Sequence, residues 1–440
     1  MLNLLRFPRA YKQTFVVFAA FVTLVFVLPA CRHEPSVAGL YMPDTQGPFN
    51  VYLTFPKDTG HGMVVNYHTL HPCGPGKVYY DTKSHDGKAQ AYAFKSSKAT
   101  VRTIPYLPDG RIIHSVLVDG LEPGQTYYFV AGDERDGYTK ERKFRTIPDG
   151  DAPIRFVEGG DMGTFPETRA LLKQAAKQEP LFGVVGGDIA YASGSVLKAA
   201  IWDKWFHNWS TLMVTPKGYT IPVVAAIGNH EVNDLDSQVQ AIRAPFYTGF
   251  FGSQSKTTYF ARRFGNNLAL IMLDSGHFTE APDQVDWLKQ QLTALKGVPV
   301  RFAVYHVPMY PSHRSFDGDE STLERKVWMP VFDQFDLTAA FEHHDHSFKR
   351  SKRLRGNKVD PHGMLYLGDG CFGQKARTVD SSLRWYLDKA EQISHFWVVD
   401  VTKNKVDFQA VDDKGSVFDQ CSIDPATVGE GQPVGEGAPH

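Results

Sequence analysis

Five segments of the chain share one design, in which an apolar, strand-like run stops at side chains that can bind metal. These side chains are Asp161 in EGGDMG, Asp188 and Tyr191 in GVVGGDIAYA, Asn229 and His230 in VVAAIGNHE, His306 in FAVYHVP, and His344 and His346 in FEHHDHSFKR. Layered α/β domains bind their ligands beyond the strand ends. The fold must therefore bring the ends of these strands together at one metal site.

The segments lie in a region, residues 153–423, where buried strand-like runs alternate with helical stretches. The clearest helices are PETRALLKQAAKQ, VLKAAIWDKWFHNW and DQVDWLKQQLTALK, and HFWVVDVTKNKVDFQAVD reads as an antiparallel hairpin that closes a sheet. The aromatic residues of the second helix form a packing stripe or, as the alternative, a wall for an aromatic substrate; they are Trp202, Trp205, Phe206 and Trp209. The alternation predicts an α/β domain.

The region before it, residues 48–148, has a different pattern. Seven short strand candidates, from NVYLTF to ERKFRT, are separated by clusters of turn residues. Such spacing is typical of an all-β sandwich of immunoglobulin or fibronectin III type. We expect residues 32–47 to form a linker and the Gly- and Pro-rich residues 424–440 to form a disordered tail.

Composition excludes some classes of protein. A length of 440 residues favours two domains, and 42% hydrophobic residues exclude general disorder. The net charge of −1 gives no electrostatic reason to expect a nucleic-acid partner.

The N-terminus resembles a secretory signal. Basic residues precede the apolar stretch TFVVFAAFVTLVFVLPA, and residues 1–31 end in LPAC, which resembles a bacterial lipobox with Cys31 as the lipidated residue. A retained signal anchor is the alternative. In either case we expect an exported protein, periplasmic or at the cell surface, with membrane contact only through this anchor. The other cysteines are Cys73, Cys371 and Cys421, and they allow at most one internal disulfide, with its pairing open.

The ligand types suggest which metals bind. Asp188 can serve two ions because a carboxylate has two oxygens, and Tyr191 suggests Fe(III), since phenolate favours a hard, strongly charged ion. Asn229 offers an amide oxygen. The imidazoles of His306, His344 and His346 suit Zn, Fe or Mn. Each of these segments, taken alone, is common in structural roles. The metal site is predicted because all of them follow apolar runs within one domain.

Five motifs, GDMG, GDIAY, GNHE, YHVP and HHDH, resemble the ordered blocks of the metallophosphoesterases. The tyrosine that follows Asp188 resembles their purple acid phosphatase branch, and HHDHSFKR is similar to that family's GHxHxYER block. This resemblance implies a four-layer αββα metallophosphoesterase sandwich, preceded by a fibronectin III-like module.

The resemblance also implies roles for the candidate residues. Asp161, Tyr191 and His346 would bind a ferric ion. A second, divalent ion (Zn, Fe or Mn) would take Asn229, His306 and His344, with Asp188 bridging. Hydroxide held by the ions would attack phosphorus.

Three further histidines have expected positions or roles. His230 would contact the phosphate. His313 lies roughly where the family keeps an acid for the leaving group, and the alternative is a surface histidine. His343 replaces the family's glycine, and we expect it behind the ligands or exposed rather than as another ligand.

The expected function is hydrolysis of small phosphate monoesters, as in acid phosphatases. Two alternatives remain open at this point. One is a phosphodiesterase that uses the same site, and the other is a non-catalytic surface lipoprotein that binds a partner through the β-sandwich.

Overall fold

The computed structural model describes residues 47–70, 74–379 and 384–429. The N-terminal region contains nine strands: β1 Phe49–Thr54, β2 Gly62–Thr69, β3 Lys77–Asp81, β4 Phe94–Ser96, β5 Lys98–Thr103, β6 Ile112–Asp119, β7 Thr126–Asp133, β8 Gly137–Tyr138 and β9 Arg142–Arg145. One sheet has the order β1-β2-β6-β5, and the other has the order β4-β3-β7-β8 with β9 also on β7. Their apolar faces share a buried core that includes Val65, Val116 and Phe129. The predicted all-β sandwich is confirmed.

Two details of this module differ from the sequence expectation. The start of the predicted strand AQAYAF is a 3₁₀ turn, Ala89–Ala91. Strand β5 was not anticipated, because KATVRT carries mostly exposed and polar side chains and lies at a sheet edge, where burial imposes no clear alternation.

The second region contains seven helices: α1 Pro166–Lys177, α2 Ala199–Leu212, α3 Gln240–Arg243, α4 Pro245–Phe251, α5 Val285–Ala294, α6 Asp319–Val327 and α7 Met329–Gln334. Its strands are β10 Ile154–Gly159, β11 Phe182–Val185, β12 Val223–Ala225, β13 Phe260–Phe264, β14 Leu268–Met272, β15 Val300–Val304, β16 Ala339–Glu342, β17 Phe348–Ser351, β18 Leu354–Arg355, β19 Lys358–Val359, β20 Leu365–Gly368, β21 Leu387–Glu391, β22 His395–Val401, β23 Val406–Asp412 and β24 Val417–Ile423.

Thirteen of these strands form two large sheets stacked on each other, and β18 and β19 pair with each other. One has the order β12-β11-β10-β22-β23-β24, and the other has the order β13-β14-β15-β16-β20-β17-β21. Strands β10, β11 and β12 run parallel, as do β14, β15, β16 and β20. Aromatic side chains join the facing surfaces, and the Phe156 and Phe302 rings lie 6.2 Å apart.

Helices cover the outer faces of both sheets. Helices α1, α2 and α4 pack on the first sheet through one apolar cluster, and α5 and α7 pack on the second through another. This arrangement confirms the predicted four-layer αββα sandwich. Helix α2 also contacts β1 of the N-terminal module. Its aromatic residues are almost fully buried, which confirms the packing stripe and excludes the substrate wall; they are Trp202, Trp205, Phe206 and Trp209.

The C-terminal part is more ordered than expected. Strands β22 and β23 form the predicted antiparallel hairpin. Residues 424–429 were predicted to begin a disordered tail, but they belong to the fold. The Asp424 side chain caps a 3₁₀ turn, and the Gly429 N–H donates to the His362 carbonyl oxygen at 2.9 Å.

The predicted signal, the predicted lipidation site Cys31, residues 32–46 of the predicted linker, Cys73 and residues 430–440 lie outside the described residues. Within the described ranges, no helix has both the length and the apolar character needed to cross a membrane. Cys371 and Cys421, the cysteines in those ranges, are free thiols.

Candidate metal centre

The predicted ligands follow strands whose carboxyl ends meet. Asp161, Asp188 and Asn229 come after β10, β11 and β12, which are neighbours in the first sheet. His306 and His344 come after β15 and β16, which are neighbours in the second. Because the sheets are stacked, both sets of loops reach the same place. This meeting of strand ends explains why each predicted ligand follows an apolar run in the sequence.

Asp161, Tyr191 and His346 form one part of the centre. The Tyr191 hydroxyl donates to Asp161 Oδ1 at 2.9 Å and lies 3.0 Å from His346 Nε2. His346 Nε2 is itself 2.9 Å from Asp161 Oδ1. The carboxylate, phenol and imidazole therefore converge at one point.

Asn229, His306 and His344 form the other part. His306 Nε2 lies 3.2 Å from Asn229 Oδ1 and 3.2 Å from His344 Nδ1. Two imidazole nitrogens and an amide oxygen that face one another in this way suit a divalent transition metal.

Asp188 joins the two parts. It belongs to two groups whose ligand atoms lie within 4.8 Å of one another, one with His306 and His344 and one with Asp161 and His346. Its Oδ2 is 3.3 Å from His306 Nε2. The donor set therefore fits two cations that share one carboxylate.

Backbone conformation marks the same residues. Five of the seven candidate ligands have φ between 51° and 73°, namely Asp161, Asp188, Tyr191, His344 and His346. Residues other than glycine adopt this left-handed region infrequently, and such strain concentrates at functional sites. The turns that follow the strands therefore adopt uncommon backbone conformations at the residues that form the candidate site.

Charge is concentrated in this buried place. Burial alone would raise the pKa of Asp188, but His306 and His230 lower it below its usual value, so the carboxylate stays ionised. Burial alone would lower the pKa of His306, but Asp188 and Asp161 raise it. Burial followed by the two carboxylates raises the pKa of Tyr191, so its phenol keeps the proton that it donates to Asp161. The two carboxylates favour positive charge between them.

Supporting contacts orient the ligands. His306 Nδ1 lies 3.0 Å from the Gly186 carbonyl oxygen, which directs Nε2 toward the centre. The buried Glu231 accepts the N–H groups of Asp188 at 2.8 Å, Ile189 at 2.9 Å and Gly228 at 2.8 Å. Sequence reasoning missed Glu231, although its place directly after Asn229 and His230 was a usable signal.

His230 and His313 both line the cavity that borders Tyr191 and His346 of the metal centre. The His230 N–H donates to Asp188 Oδ1 at 2.8 Å, and its ring packs 4.4 Å from that of Tyr191. His313 is exposed and lines the same cavity as Tyr191 and His230, with its Nδ1 2.8 Å from the Thr378 carbonyl oxygen.

His343 lies behind the ligands and is fully buried, which is the first of its two expected positions. Its Nε2 is 2.6 Å from Glu158 Oε1, and its Nδ1 is 2.9 Å from the Tyr305 carbonyl oxygen. Gly186 makes room for this ring, since a Cβ there would overlap it. Pairing with a buried glutamate explains how the chain accommodates a histidine at this position.

Arg350 of the fifth motif points away from the ligands. It forms ion pairs with Asp388 and, at 2.8 Å, with Asp419. Lys349 beside it is fully buried and pairs with Glu342 and, at 3.3 Å, with Asp369. These pairs fix β17 beneath the loop that carries His344 and His346.

Comparisons with known proteins agree with this geometry. Residues 48–146 match the family model of the purple acid phosphatase N-terminal domain, and residues 150–348 match that of the calcineurin-like phosphoesterases. "Probable purple acid phosphatase 20" of Arabidopsis thaliana is 28% identical over 272 residues, which are 59% of this chain and 60% of that protein. "Purple acid phosphatase 18" of the same plant is 26% identical over 353 residues, 76% of this chain and 74% of that protein.

The matched part of the chain thus spans 60% and 74% of these relatives. A solved structure of purple acid phosphatase PPD1 from yellow lupin (Lupinus luteus) seeds has the same fold, with a TM-score of 0.74 at 16% identity over 86% of this chain and 74% of that one. The two family models follow each other along the chain and leave only three residues between them. The chain therefore combines an N-terminal domain of the purple acid phosphatase type with a calcineurin-like phosphoesterase domain.

Proposed function

We propose that this chain is a dinuclear hydrolase of small phosphate monoesters. The observation that carries the proposal is that Asp188 belongs to both candidate ligand groups. Asp161, Tyr191 and His346 would hold Fe(III), and Asn229, His306 and His344 would hold a divalent ion, Zn, Fe or Mn. Two such ions polarise the ester oxygens and activate the attacking water.

The chain's own residues divide the remaining work. His230 lies beside Asp188 and Tyr191, where its ring can donate a hydrogen bond to a phosphate oxygen. His313, in the same cavity, is the candidate acid that gives a proton to the leaving oxygen. Glu231 and Gly186 hold Asp188 and His306 in place, so that little reorganisation is needed when substrate arrives.

The test combines metal analysis, colour and turnover of 4-nitrophenyl phosphate. The proposal predicts about two metal ions per chain and a visible phenolate-to-iron band that disappears in Tyr191→Phe. A colourless zinc protein with full activity would overturn the iron assignment alone. Absence of turnover in protein loaded with both metals would overturn the hydrolase.

A phosphodiesterase is the second candidate, and one observation favours it. Cavities of about 770 Å³ and about 680 Å³ both border candidate ligands, so there is room for a second substituent on phosphorus. We expect 4-nitrophenyl phosphate to be the better substrate, and faster turnover of bis(4-nitrophenyl) phosphate would favour the diesterase.

We also propose that the protein is exported and anchored through a lipid on Cys31. The support is the order of Arg6, Arg9, the apolar stretch and LPAC in the sequence. Labelling with a radioactive fatty acid in a bacterial host should mark the wild-type chain and not Cys31→Ser. Equal labelling of both would contradict the anchor.

A further inference from the structure

The two cavities beside the metal centre differ in charge. The cavity of about 770 Å³ borders Asn229 and His344, on the side of the divalent ion. Its walls carry three glutamates, Glu280, Glu320 and Glu324. Its one arginine, Arg314, is already paired with Asp345 at 2.9 Å. Burial raises the pKa of Glu324 well above its usual value and keeps that carboxyl neutral, so the exposed Glu280 and Glu320 are the groups that disfavour an anion on this side.

The cavity of about 680 Å³ borders Tyr191 and His346, on the side of the predicted ferric ion. Lys375 and Arg377 line it together with His230 and His313, and none of the described residues that line it is a carboxylate. The two cations come from one short stretch, residues 374–378, which we call the cationic loop.

The cationic loop is attached directly to two candidate ligands. The Gln374 N–H donates to the Asp161 carbonyl oxygen at 3.1 Å, and the Arg377 N–H donates to the His346 carbonyl oxygen at 2.8 Å. Two side chains hold the loop as well, through Gln392 Nε2 to the Ala376 oxygen at 3.0 Å and His313 Nδ1 to the Thr378 oxygen at 2.8 Å. The backbone that carries the two cationic side chains is therefore held in place relative to the centre.

Neither cation has an anionic partner within the part of the chain that the structure describes. Arg377 is half-buried, so its guanidinium has lost part of its hydration. A planar guanidinium in such a place gains most from a carboxylate or a phosphate, with which it can form two parallel hydrogen bonds.

We propose that the cationic loop forms a subsite for a second anionic group of the substrate. The preferred substrates are then phosphate monoesters whose alcohol part carries a carboxylate or a further phosphate, bound by Arg377 and Lys375. This inference rests on the proposed hydrolase activity and adds its substrate class. The exposed Glu280 and Glu320 of the opposite cavity support this orientation, because they disfavour an anion on that side.

Four aryl phosphates with the same type of scissile ester bond test the inference. They are phenyl phosphate, 4-carboxyphenyl phosphate, 1,4-phenylene bisphosphate and 4-(aminomethyl)phenyl phosphate. We expect kcat/KM to be highest for one or both anionic probes, and the comparison between these two separates a carboxylate subsite from a phosphate subsite. The preference should shrink as salt is added, because screening weakens exposed charge pairs.

Variants assign the preference to the loop. Arg377→Gln should lower kcat/KM for the favoured anionic probe on the order of tenfold, as expected for a charged hydrogen bond, and leave phenyl phosphate nearly unchanged. Arg377→Lys should retain part of the preference, and Lys375→Gln should reduce it less, because Lys375 is more exposed. Lys414→Gln, an exposed cation in the turn after β23, is the matched control.

The outcomes separate the two proposals. No turnover of phenyl phosphate by the metal-loaded wild-type protein would refute the hydrolase itself. Turnover of all four probes without preference for an anion would refute the subsite alone. An equal loss for all probes in Arg377→Gln would place Arg377 on the scissile phosphate and also refute it. A preference for the aminomethyl probe that is lost in Glu280→Gln would assign the alcohol part to the other cavity.

Discussion

Two buried polar clusters in this molecule satisfy their charges in opposite ways. The first joins the N-terminal sandwich to helix α2, where Asp203 accepts hydrogen bonds from Asn50 at 2.6 Å and from two nitrogens of Arg111 at 2.5 and 2.9 Å. Arg111 and Asp203 are only 3% and 4% exposed. Every charge in this cluster has a partner within the chain.

The second cluster is the metal centre. Asp161 and Asp188 face imidazoles and a phenol, and five of its residues take left-handed backbone conformations. Its groups also contact one another, as His346 Nε2 and Asp161 Oδ1 do at 2.9 Å, but their ligand atoms surround common points at which a cation would fit. We therefore expect substitutions in the first cluster to lower the stability of the fold, and substitutions in the second cluster to lower activity.

The largest effect is expected for Asp188→Asn. We expect kcat/KM for 4-nitrophenyl phosphate to fall at least about a thousandfold, since loss of residues that merely support metal ligands already costs about 10- to 100-fold. The metal-free variant should melt only slightly below the metal-free wild type, because asparagine can still accept the His230 N–H and His306 keeps Asp161 as a partner at 4.0 Å. A much lower melting temperature would show that Asp188 is structural, and would break the comparison.

Arg111→Met should produce the reverse pattern. Leaving Asp203 buried without its cation should lower the free energy of unfolding by about 3–5 kcal/mol, while kcat at low temperature stays near the wild-type value. Denaturant unfolding and turnover at low temperature measure the two quantities. Adding Asp203→Leu should restore part of the stability, because no unpaired charge is then buried. If the single variant were as stable as wild type, the interface pair would not hold the domains together.

Glu231→Gln should give an intermediate effect on the metal centre. An amide cannot accept the N–H groups of Asp188, Ile189 and Gly228 as the carboxylate does. We expect metal affinity to fall about 10- to 100-fold, as measured by titration of zinc into metal-free protein. Glu320→Gln, an exposed glutamate of the neighbouring cavity, is the control. Equal affinities in the two variants would contradict the supporting role of Glu231.

The smallest effect concerns pH and His68, which packs against the interface at 4.9 Å from the Phe250 ring. Burial, followed by the charge of Arg111, holds the pKa of His68 well below its usual value of 6.5. The unfolded chain therefore binds a proton here that the folded chain does not, so stability from this group is present above about pH 6.5 and declines as pH falls.

Thermal melting of the metal-free protein at about pH 7.5 and about pH 5 measures this effect. The decrease in melting temperature on acidification should be smaller in His68→Gln than in wild type. An unchanged decrease would assign the acid sensitivity to other groups.

The sequence alone predicted which side chains come together in the candidate metal centre, for a physical reason. Each ligand follows an apolar strand directly, so the motif and the structural element are adjacent in sequence, as with Asp161 after β10 and His306 after β15. The alternation of strands and helices likewise gave the α/β layers and the closing hairpin. The order of residues within short segments was sufficient to predict both the candidate ligands and the α/β layers.

Pairings between distant residues could not be predicted in this way. Arg111 and Asp203 are 92 residues apart, and Glu158 and His343 are 185 residues apart, so no periodicity links them. The charges of the two cavities depend on loops such as residues 374–378, whose positions are set by hydrogen bonds to Asp161 and His346. These features require the tertiary structure.

The most direct test of the central claim is a crystal structure of the metal-loaded protein, with anomalous scattering measured at the iron and zinc edges. We predict two metal ions about 3.5–4 Å apart, one touched by Tyr191 and the other by His306, with the Asp188 carboxylate in contact with both. A single ion, or two ions that do not share Asp188, would contradict the account.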